Sequence, residues 1–355
     1  MIKGMDISML DELEKMGVSY YDQGEKNDLI TILEQNGVNT IRLRVWKDPY
    51  DDKGNVYGGG TVDEKVLIDL AKRIKQKNMK FILDIHYSDF WADPAKQFKP
   101  KAWKDISGQE LVDVVYRYTK NLLVNLKEEG IVPEMVQVGN EITNGLLWPD
   151  GRTPNYDGMF NLIKSGVRAV REVMENSKII LHLDYGGDNK LYRSWFDEAV
   201  NHNVDYDVIG LSYYPFWHGT LKELEYNLDD ISERYNKDVL ILETSYGFTL
   251  ETREGLDSVF SQELAEVAGY SADVVGQSKY ISDLFHIMKK VKYNRGLGIV
   301  YWEPAWIPVE DSSWTTIVGQ EYIKDYAKRG NTWANQALFD YDGNSLETLK
   351  LFKKF

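Results

Sequence analysis

Cysteine is absent from the 355-residue chain. Disulfide bonds, thiolate metal sites and a cysteine nucleophile are therefore excluded. No apolar run approaches the roughly 20 residues that a membrane-spanning helix requires, so we expect no membrane association. The first residues, Met1–Asp6, lack the apolar stretch of a secretory signal. This start fits either a cytoplasmic protein or a mature secreted form whose signal was removed, and it leaves the compartment open.

Positive charge is also in short supply. The chain has 42 Lys and Arg against 56 Asp and Glu, which gives a formal net charge of −14. A surface of this sign repels phosphate backbones and argues against a nucleic-acid partner, whereas a neutral polymer is indifferent to it. The charge also favours a monomer. Aromatic residues are abundant by contrast, with 10 Trp and 23 Tyr, and we expect some to pack in a core and others to stack on sugar rings.

Short apolar, β-branched runs alternate along the chain with longer segments of helical period. Continuous apolar interiors such as Phe81-Ile-Leu83 are typical of strands covered on both faces, as in a parallel sheet. The eight predicted strands are Ile2–Ser8, Thr40–Trp46, Lys80–His86, Met135–Ile142, Lys178–Asp184, Val208–Tyr214, Val239–Thr244 and Leu297–Trp302.

Amphipathic helices are predicted in the gaps between these strands. They cover Lys26–Gln35, Asp63–Asn78, Gln109–Glu129, Tyr156–Glu175, Leu191–Asn201, Thr220–Tyr235 and Ala272–Tyr293. Strands and helices in alternation, with no second core-sized segment, predict an α/β fold: a single-domain (β/α)8 TIM barrel over residues 1–355. A doubly wound open sheet is the alternative, and it is less favoured because no Gly-x-Gly-x-x-Gly follows the first strand.

Long loops follow the second, third, seventh and eighth predicted strands. They are rich in Trp, Tyr, Asp and Gly, and they cover Trp46–Gly60, Tyr87–Lys104, Ser245–Gly269 and Glu303–Asn335. The opposite turns, such as Asn36–Asn39, are short. Since the loops after the strands build the ligand face of a barrel, this asymmetry indicates an enzyme.

Two of the apolar strands run directly into a glutamate, Glu141 and Glu243. Burying a carboxylate at the end of a strand costs free energy, so a glutamate there suggests that the carboxylate has a function. In a barrel these strand ends meet at one rim, and a retaining glycosidase needs one protonated and one ionised carboxyl group roughly 5–5.5 Å apart. A single such glutamate is more often a solvated loop residue, but two, one of them directly after Asn140, favour the catalytic pair.

Other polar or aromatic residues at the strand ends are candidates for supporting the pair. Arg42 is the natural partner of an anionic Glu243. Asn140 could bond to a sugar hydroxyl, His86 and Tyr213 could orient the carboxylates, and Trp302 could form the floor under the sugar. Asp6 and Asp184 end the first and fifth strands and are added as substrate-binding candidates.

Competing interpretations apply to several of these residues. His86 and His182 could be structural histidines, and together with Asp84 and Asp184 they could hold a metal, although no local His-x-x-x-His spacing supports a metal site. Arg44 could be either a barrel-lining ion-pair residue or a substrate contact. Trp91 and Trp148 lie in polar loops, where sugar stacking explains a large ring better than packing does.

The motifs resemble those of glycoside hydrolase family 53, the endo-β-1,4-galactanases, through nearly the whole chain. The segments that carry the resemblance are Gly4–Ser8, Asn39–Trp46, Asp84–Pro94, Gln137–Gly145, Glu243–Tyr246, Tyr301–Pro308 and Asn335–Asp340. The resemblance implies a retaining double displacement on β-1,4-linked galactan, a pectin side chain. It assigns Glu141 as acid/base and Glu243 as nucleophile, with Asn140, Arg42, His86 and Tyr213 in support and Trp91, Asp184 and Trp302 holding sugars.

Calcium is the one cofactor that the resemblance raises. Some bacterial members carry a calcium site in the loop after the seventh strand, with an Asp-Gly-His-Pro-Asn run. The corresponding stretch here, Phe248–Gln277, has no His and no such run, so we expect no cofactor and no metal.

Two rival functions stay open at this point. The first is an endo-acting hydrolase of the same clan acting on mannan, xylan or glucan, because the Asn-Glu pair does not distinguish these sugars. The second is a catalytically silent carbohydrate-binding barrel, which would need stacking rings but no proton donor.

Overall fold

The computed structural model describes residues 1–253 and 257–355. Its centre is a closed barrel of eight parallel strands, in which β1 pairs with both β2 and β8. The strands are β1 Ile2–Asp6, β2 Thr40–Val45, β3 Lys80–Ile85, β4 Met135–Val138, β5 Lys178–Leu183, β6 Val208–Ser212, β7 Asp238–Glu243 and β8 Gly296–Trp302. The predicted TIM-barrel fold is therefore confirmed.

Ten α-helices lie in the described residues, most of them packed around the barrel. They are α1 Leu10–Lys15, α2 Leu29–Gln35, α3 Glu64–Gln76, α4 Gly108–Glu128, α5 Tyr156–Val173, α6 Asn189–Asn201, α7 Leu221–Tyr235, α8 Gln262–Ala268, α9 Val274–Lys290 and α10 Ile317–Ile323. None of these helices combines the length and apolarity needed to cross a membrane.

The start of α2 differs from its prediction. Lys26 lies in a short antiparallel pair, Tyr20–Asp22 with Glu25–Asn27, rather than in the helix. The helix starts only after Asp28, whose carboxylate accepts a hydrogen bond from the Thr31 backbone N–H. Asp28 is thus an N-cap, a residue type that satisfies a free N–H at the helix start.

Two apolar layers hold the barrel together. The larger core lies between the strands and the surrounding helices. A smaller cluster fills the barrel interior with residues such as Ile82, Ile180, Leu240 and Val300. Side chains two positions further along several strands are polar and point to the same interior face, so the interior changes from apolar to polar towards the carboxyl ends of the strands.

Candidate active site

A cleft opens at the carboxyl end of the barrel, between the loops that follow the strands. Its lining includes Glu141, Glu243, Asp184 and Asp93, together with a series of aromatic rings. Residues separated by about a hundred positions in the chain therefore meet at one site, as the barrel topology predicts.

Glu243 is the last residue of β7, and its side chain is 9% exposed. Leu240 and Leu242 point into the barrel interior, so strict alternation would turn Glu243 outwards. The register between β6 and β7 shifts at this point, where Ser212 pairs with Glu243 directly after Leu211 pairs with Ile241. An irregularity of this kind re-aims a side chain, and here it places the Glu243 carboxylate in the cleft.

Arg42 is the cation beside Glu243. Its guanidinium lies 3.0 Å from the Glu243 Oε1 atom and also donates to Asp6 and Asp84, each at 2.8 Å. Burial opposes the positive charge, but Asp84, Glu243 and Asp6 together raise the pKa of Arg42 above its usual range. The charge on this residue is therefore permanent. Arg42 also donates to the Asn140 side-chain oxygen at 2.9 Å, which ties the two glutamate-bearing strand ends together.

Glu141 lies just beyond β4 in the left-handed backbone region, with φ 45° and ψ 52°. Burial in the cleft raises its pKa well above the ordinary value, and the negative charges of Glu243 and Asp184 raise it further. Within the described part of the chain, no basic side chain forms an ion pair with Glu141. Burial also raises the pKa of Glu243, but Arg42 lowers it. Glu141 is therefore the group that keeps its proton, and Glu243 is the one that ionises first.

Tyr214 supplies a second contact to Glu243, since its hydroxyl donates to the Oε2 atom at 3.3 Å. The hydroxyl of the preceding residue, Tyr213, forms no bond with either glutamate carboxylate; it donates to the Gly219 carbonyl at 2.7 Å outside the cleft. The prediction that Tyr213 orients a carboxylate is wrong. The alternation of side chains along β6 could have identified Tyr214 instead. Tyr214 lies on the same face of the strand as Ser212 and Val208, and this face points into the barrel.

The two buried histidines hold other side chains in place. His86 Nε2 lies 3.0 Å from Asp84, and its Nδ1 accepts a hydrogen bond from the Trp46 indole at 3.0 Å. His182 contacts Asn140 and Ser212, each at 2.9 Å, and burial lowers its pKa well below the ordinary value. His182 Nδ1 also accepts a hydrogen bond from the Glu141 backbone N–H at 3.4 Å. The two histidines thus hold the backbone of Glu141 and the polar neighbours of the glutamates in place. No cluster of three or more metal-ligating side chains occurs in residues 1–253 and 257–355.

Aromatic rings form much of the cleft wall. Trp302 lies 4.9 Å from Trp333 and 6.1 Å from Trp91 between ring centroids. Trp217 and Tyr185 stand at the rim, 45% and 47% exposed. Flat apolar faces beside hydrogen-bonding groups suit a sugar ring, which has one apolar face and an edge of hydroxyls.

Trp91 is fixed from both sides. Its indole N–H donates to the Trp314 carbonyl at 2.9 Å, and the Arg44 guanidinium lies 4.3 Å from its ring centroid. Arg44 in turn pairs with Glu303 at 2.6 Å and donates to the Gly59 carbonyl at 2.6 Å. Arg44 is thus the ion-pair residue that was one of its two predicted roles, and it also lies in the cleft lining. A contact with substrate stays a prediction.

Most of the residues predicted for the site meet in the cleft. Its lining contains Glu141, Glu243, Arg42, His86, Trp91, Asn140, Asp184 and Trp302. Asp6 does not line the cleft; it is fully buried below Arg42 and accepts the Ser8 hydroxyl, so the structure corrects its assignment as a substrate contact. Trp148 lies outside the cleft. The segment Phe248–Gln277, in which the calcium motif of some bacterial members is missing, includes residues 254–256, which lie outside the described residues.

Several cleft residues were not predicted from the sequence. They are Tyr214, Asp93, Lys96, Tyr185, Trp217, Trp306, Trp314 and Trp333. Most come from long loops, where no periodicity reports which way a side chain points. A pair of carboxyl groups of unequal acidity, set beside sugar-sized apolar rings at the mouth of a parallel barrel, is what cleavage of a glycosidic bond requires. The fold and the site together define the chain as a glycoside hydrolase.

Comparison with known proteins places the chain within one group of these enzymes. It belongs to glycosyl hydrolase family 53, whose model matches residues 2–352. It is 40% identical to a Bacillus subtilis protein named endo-beta-1,4-galactanase, over 99% of this chain and 85% of that protein. It is 34% identical to the arabinogalactan endo-beta-1,4-galactanase of Cellvibrio japonicus, over 99% and 90% of the two chains. The solved GH53 catalytic domain of Ignisphaera aggregans superposes with a TM-score of 0.94 at 42% identity, over 99% and 95% of the two chains.

Proposed function

We propose that the chain is a retaining endo-β-1,4-galactanase that hydrolyses galactan and type I arabinogalactan. The observation that carries the proposal is the unequal environment of two carboxyl groups in one cleft: Glu243 contacts a permanent cation, and Glu141 has anionic neighbours instead. The names of the family relatives support galactan as the substrate.

In the first step the Glu243 carboxylate attacks the anomeric carbon, and the bond from that carbon to the leaving oxygen breaks. Glu141 gives its proton to this oxygen, so the shortened chain leaves as a neutral alcohol. In the second step Glu141, now a carboxylate, removes a proton from water, and the water oxygen displaces Glu243. Two inversions at the same carbon leave the configuration unchanged. Arg42 and Tyr214 stabilise the Glu243 anion before attack and after its release.

Proton NMR during digestion of linear galactan tests the substrate and the stereochemistry together. We expect β-configured reducing ends to appear first, and products of intermediate length early in the digestion. First-formed α-anomers would contradict retention, and release of single sugars from the start would contradict internal cleavage. Reducing-sugar release on mannan, xylan and glucan tests the other substrates of the clan.

The roles of the two glutamates are tested by Glu243→Ala and Glu141→Ala. Each variant should fold and lose nearly all activity, by a factor of about 10³ or more.

The product formed with azide from an activated β-galactoside distinguishes the two variants by its stereochemistry. Without the Glu243 carboxylate, azide attacks the anomeric carbon directly and gives an α-azide; without Glu141, azide attacks the covalent intermediate and gives a β-azide. Near-native turnover in either variant, or the opposite pair of products, would refute the roles. Binding of galactan without hydrolysis by the unmodified chain would favour the silent binder.

A further inference from the structure

Trp148, one of the two tryptophans singled out in polar loops, lies outside the cleft and has no part in the proposed reaction. It lines a separate groove between the segment 99–107 and the loop after β4. We propose that this groove is a second binding site for the polysaccharide, one that holds a stretch of galactan beyond the part bound in the cleft. This inference rests on the proposed function and adds a site to it.

One stretch of chain runs from the lining of the cleft to the lining of the groove. Residues Asp93 to Lys96 line the cleft, and Lys99 lines the groove. Gln97 lies between them and donates to the Asn140 carbonyl at 2.7 Å, while its own carbonyl accepts from the Trp148 backbone N–H at 2.7 Å. Trp148 is therefore hydrogen-bonded to the same stretch of chain that lines the cleft at Asp93 to Lys96.

The Trp148 ring is held as a rigid platform. Its indole N–H donates to the Asn144 carbonyl at 3.0 Å, and the Arg152 guanidinium lies 4.2 Å from the ring centroid. Phe98, which is 41% exposed, forms a parallel bridge with Trp148, and paired positions point to the same face. Trp148 thus supplies a fixed ring in the groove lining, and the exposed Phe98 lies next to it outside that lining. The Trp148 ring offers an apolar face that a sugar can cover.

The charges of the groove fit a neutral ligand. Lys99 pairs with Asp150 at 2.9 Å in the groove floor, and each side chain is largely buried. Lys104 and Asp105 add one charge of each sign at the edge. The groove lining has two basic and two acidic side chains, and Arg152 over the Trp148 ring adds one positive charge. The groove is therefore close to neutral on a chain of net charge −14. Ser107, the N-cap of α4, makes no side-chain capping bond, so its hydroxyl is available to a sugar.

Affinity electrophoresis through gels that contain galactan tests the site, with Glu243→Gln as the inactive parent. Adding Trp148→Ala should weaken binding of the polymer about fivefold to tenfold, because a stacked apolar face is lost. Binding of galactotriose, which we expect to occupy the cleft alone, should weaken less. Trp148→Phe should restore most of the polymer affinity, because phenylalanine keeps an aromatic ring for stacking. It removes only the indole N–H that donates to the Asn144 carbonyl. Tyr226→Ala, which removes a 61% exposed ring from α7, should bind as the parent does.

The other outcomes overturn the site in distinct ways. Equal polymer affinity in parent and Trp148→Ala would show that the groove takes no galactan. Equal losses for the trimer and the polymer, or no rescue by phenylalanine, would assign Trp148 a structural role in the cleft loop. A dimer that forms in the parent and is lost in Trp148→Ala would assign the groove to a second copy of the chain. Failure of the Glu243→Gln parent to bind galactan at all would instead overturn the proposed function.

Discussion

Tyr213 and Tyr214 are neighbours in sequence, yet only the second hydroxyl contacts Glu243. We expect Tyr214→Phe to lower kcat/KM about tenfold, since a hydrogen bond to a charged group contributes roughly 1.5–3 kcal/mol. Losing this donor also raises the Glu243 pKa, so the acidic limb of the pH profile should move to higher pH. The alkaline limb, which reports the Glu141 proton, should stay in place.

The matched control for this prediction is Tyr213→Phe. It removes a hydroxyl of the same type from the same strand end, but from the bond to the Gly219 carbonyl. We expect it to cost about 1 kcal/mol of the unfolding free energy and to leave the pH profile unchanged. Equal shifts of the acidic limb in both variants would contradict the assignment of Tyr214.

Asp184 shows how a cleft carboxyl group affects stability. Burial raises its pKa from the ordinary value of 3.8 to about 6. The folded protein therefore holds this proton more tightly than the unfolded chain, and the contribution of Asp184 to stability falls as the pH rises from about 4 to about 6. We expect Asp184→Asn to be more stable than the parent at pH 7, by up to about 3 kcal/mol, and to have no such advantage at pH 4. Urea unfolding at the two pH values measures this, and an equal difference at both would contradict it.

At the level of single elements, the loop after β2 packs against the Trp91 ring at Gly59. Gly59 has a φ of +64°, and a Cβ atom there would lie 2.8 Å from the Trp91 ring and 2.9 Å from the Trp314 carbonyl. We expect Gly59→Ala to displace the ring and to raise KM more than it lowers kcat. Gly54→Ala in the same loop is the control, because Gly54 also has a positive φ, +82°, but nothing lies within 4 Å of its Cβ position. A similar rise in KM for both variants would point to the loop backbone rather than to Trp91.

The strands were predictable because burial on both faces leaves a continuous apolar run. Their ends were less so. The fourth strand was predicted to continue to Ile142 but ends at Val138, since Gly139 and Glu141 both adopt positive φ, 85° and 45°. The helices α1, α8 and α10 were missed. Each has only six or seven residues, and α8 and α10 lie inside segments that were predicted as loops. Both glutamates could be found because each follows an apolar strand, whereas the tryptophans of the loops after β8 reach the cleft only through tertiary packing.

At the scale of the whole molecule, the net charge of −14 influences how fast a charged ligand associates with the protein. If the substrate is neutral galactan, the encounter involves no long-range attraction or repulsion for salt to screen. We expect kcat/KM on galactan to change less than about twofold between about 20 and 300 mM salt. A steep dependence on salt would point to an anionic or cationic substrate instead. The same charge leads us to propose a monomer, which sedimentation at low and high protein concentration would check.

The left-handed backbone at Glu141 has a consequence for the history of the chain. Glycine and asparagine adopt this conformation more readily than glutamate does. Neither of them would bury a carboxyl group at this position. Glutamate is thus an unfavourable residue for the backbone at this position, and we infer that its role in turnover is the reason it is retained. A relative that no longer needs the activity could replace this glutamate with glycine or asparagine and gain folding stability. We therefore expect inactive relatives with such a replacement to be more stable than active ones.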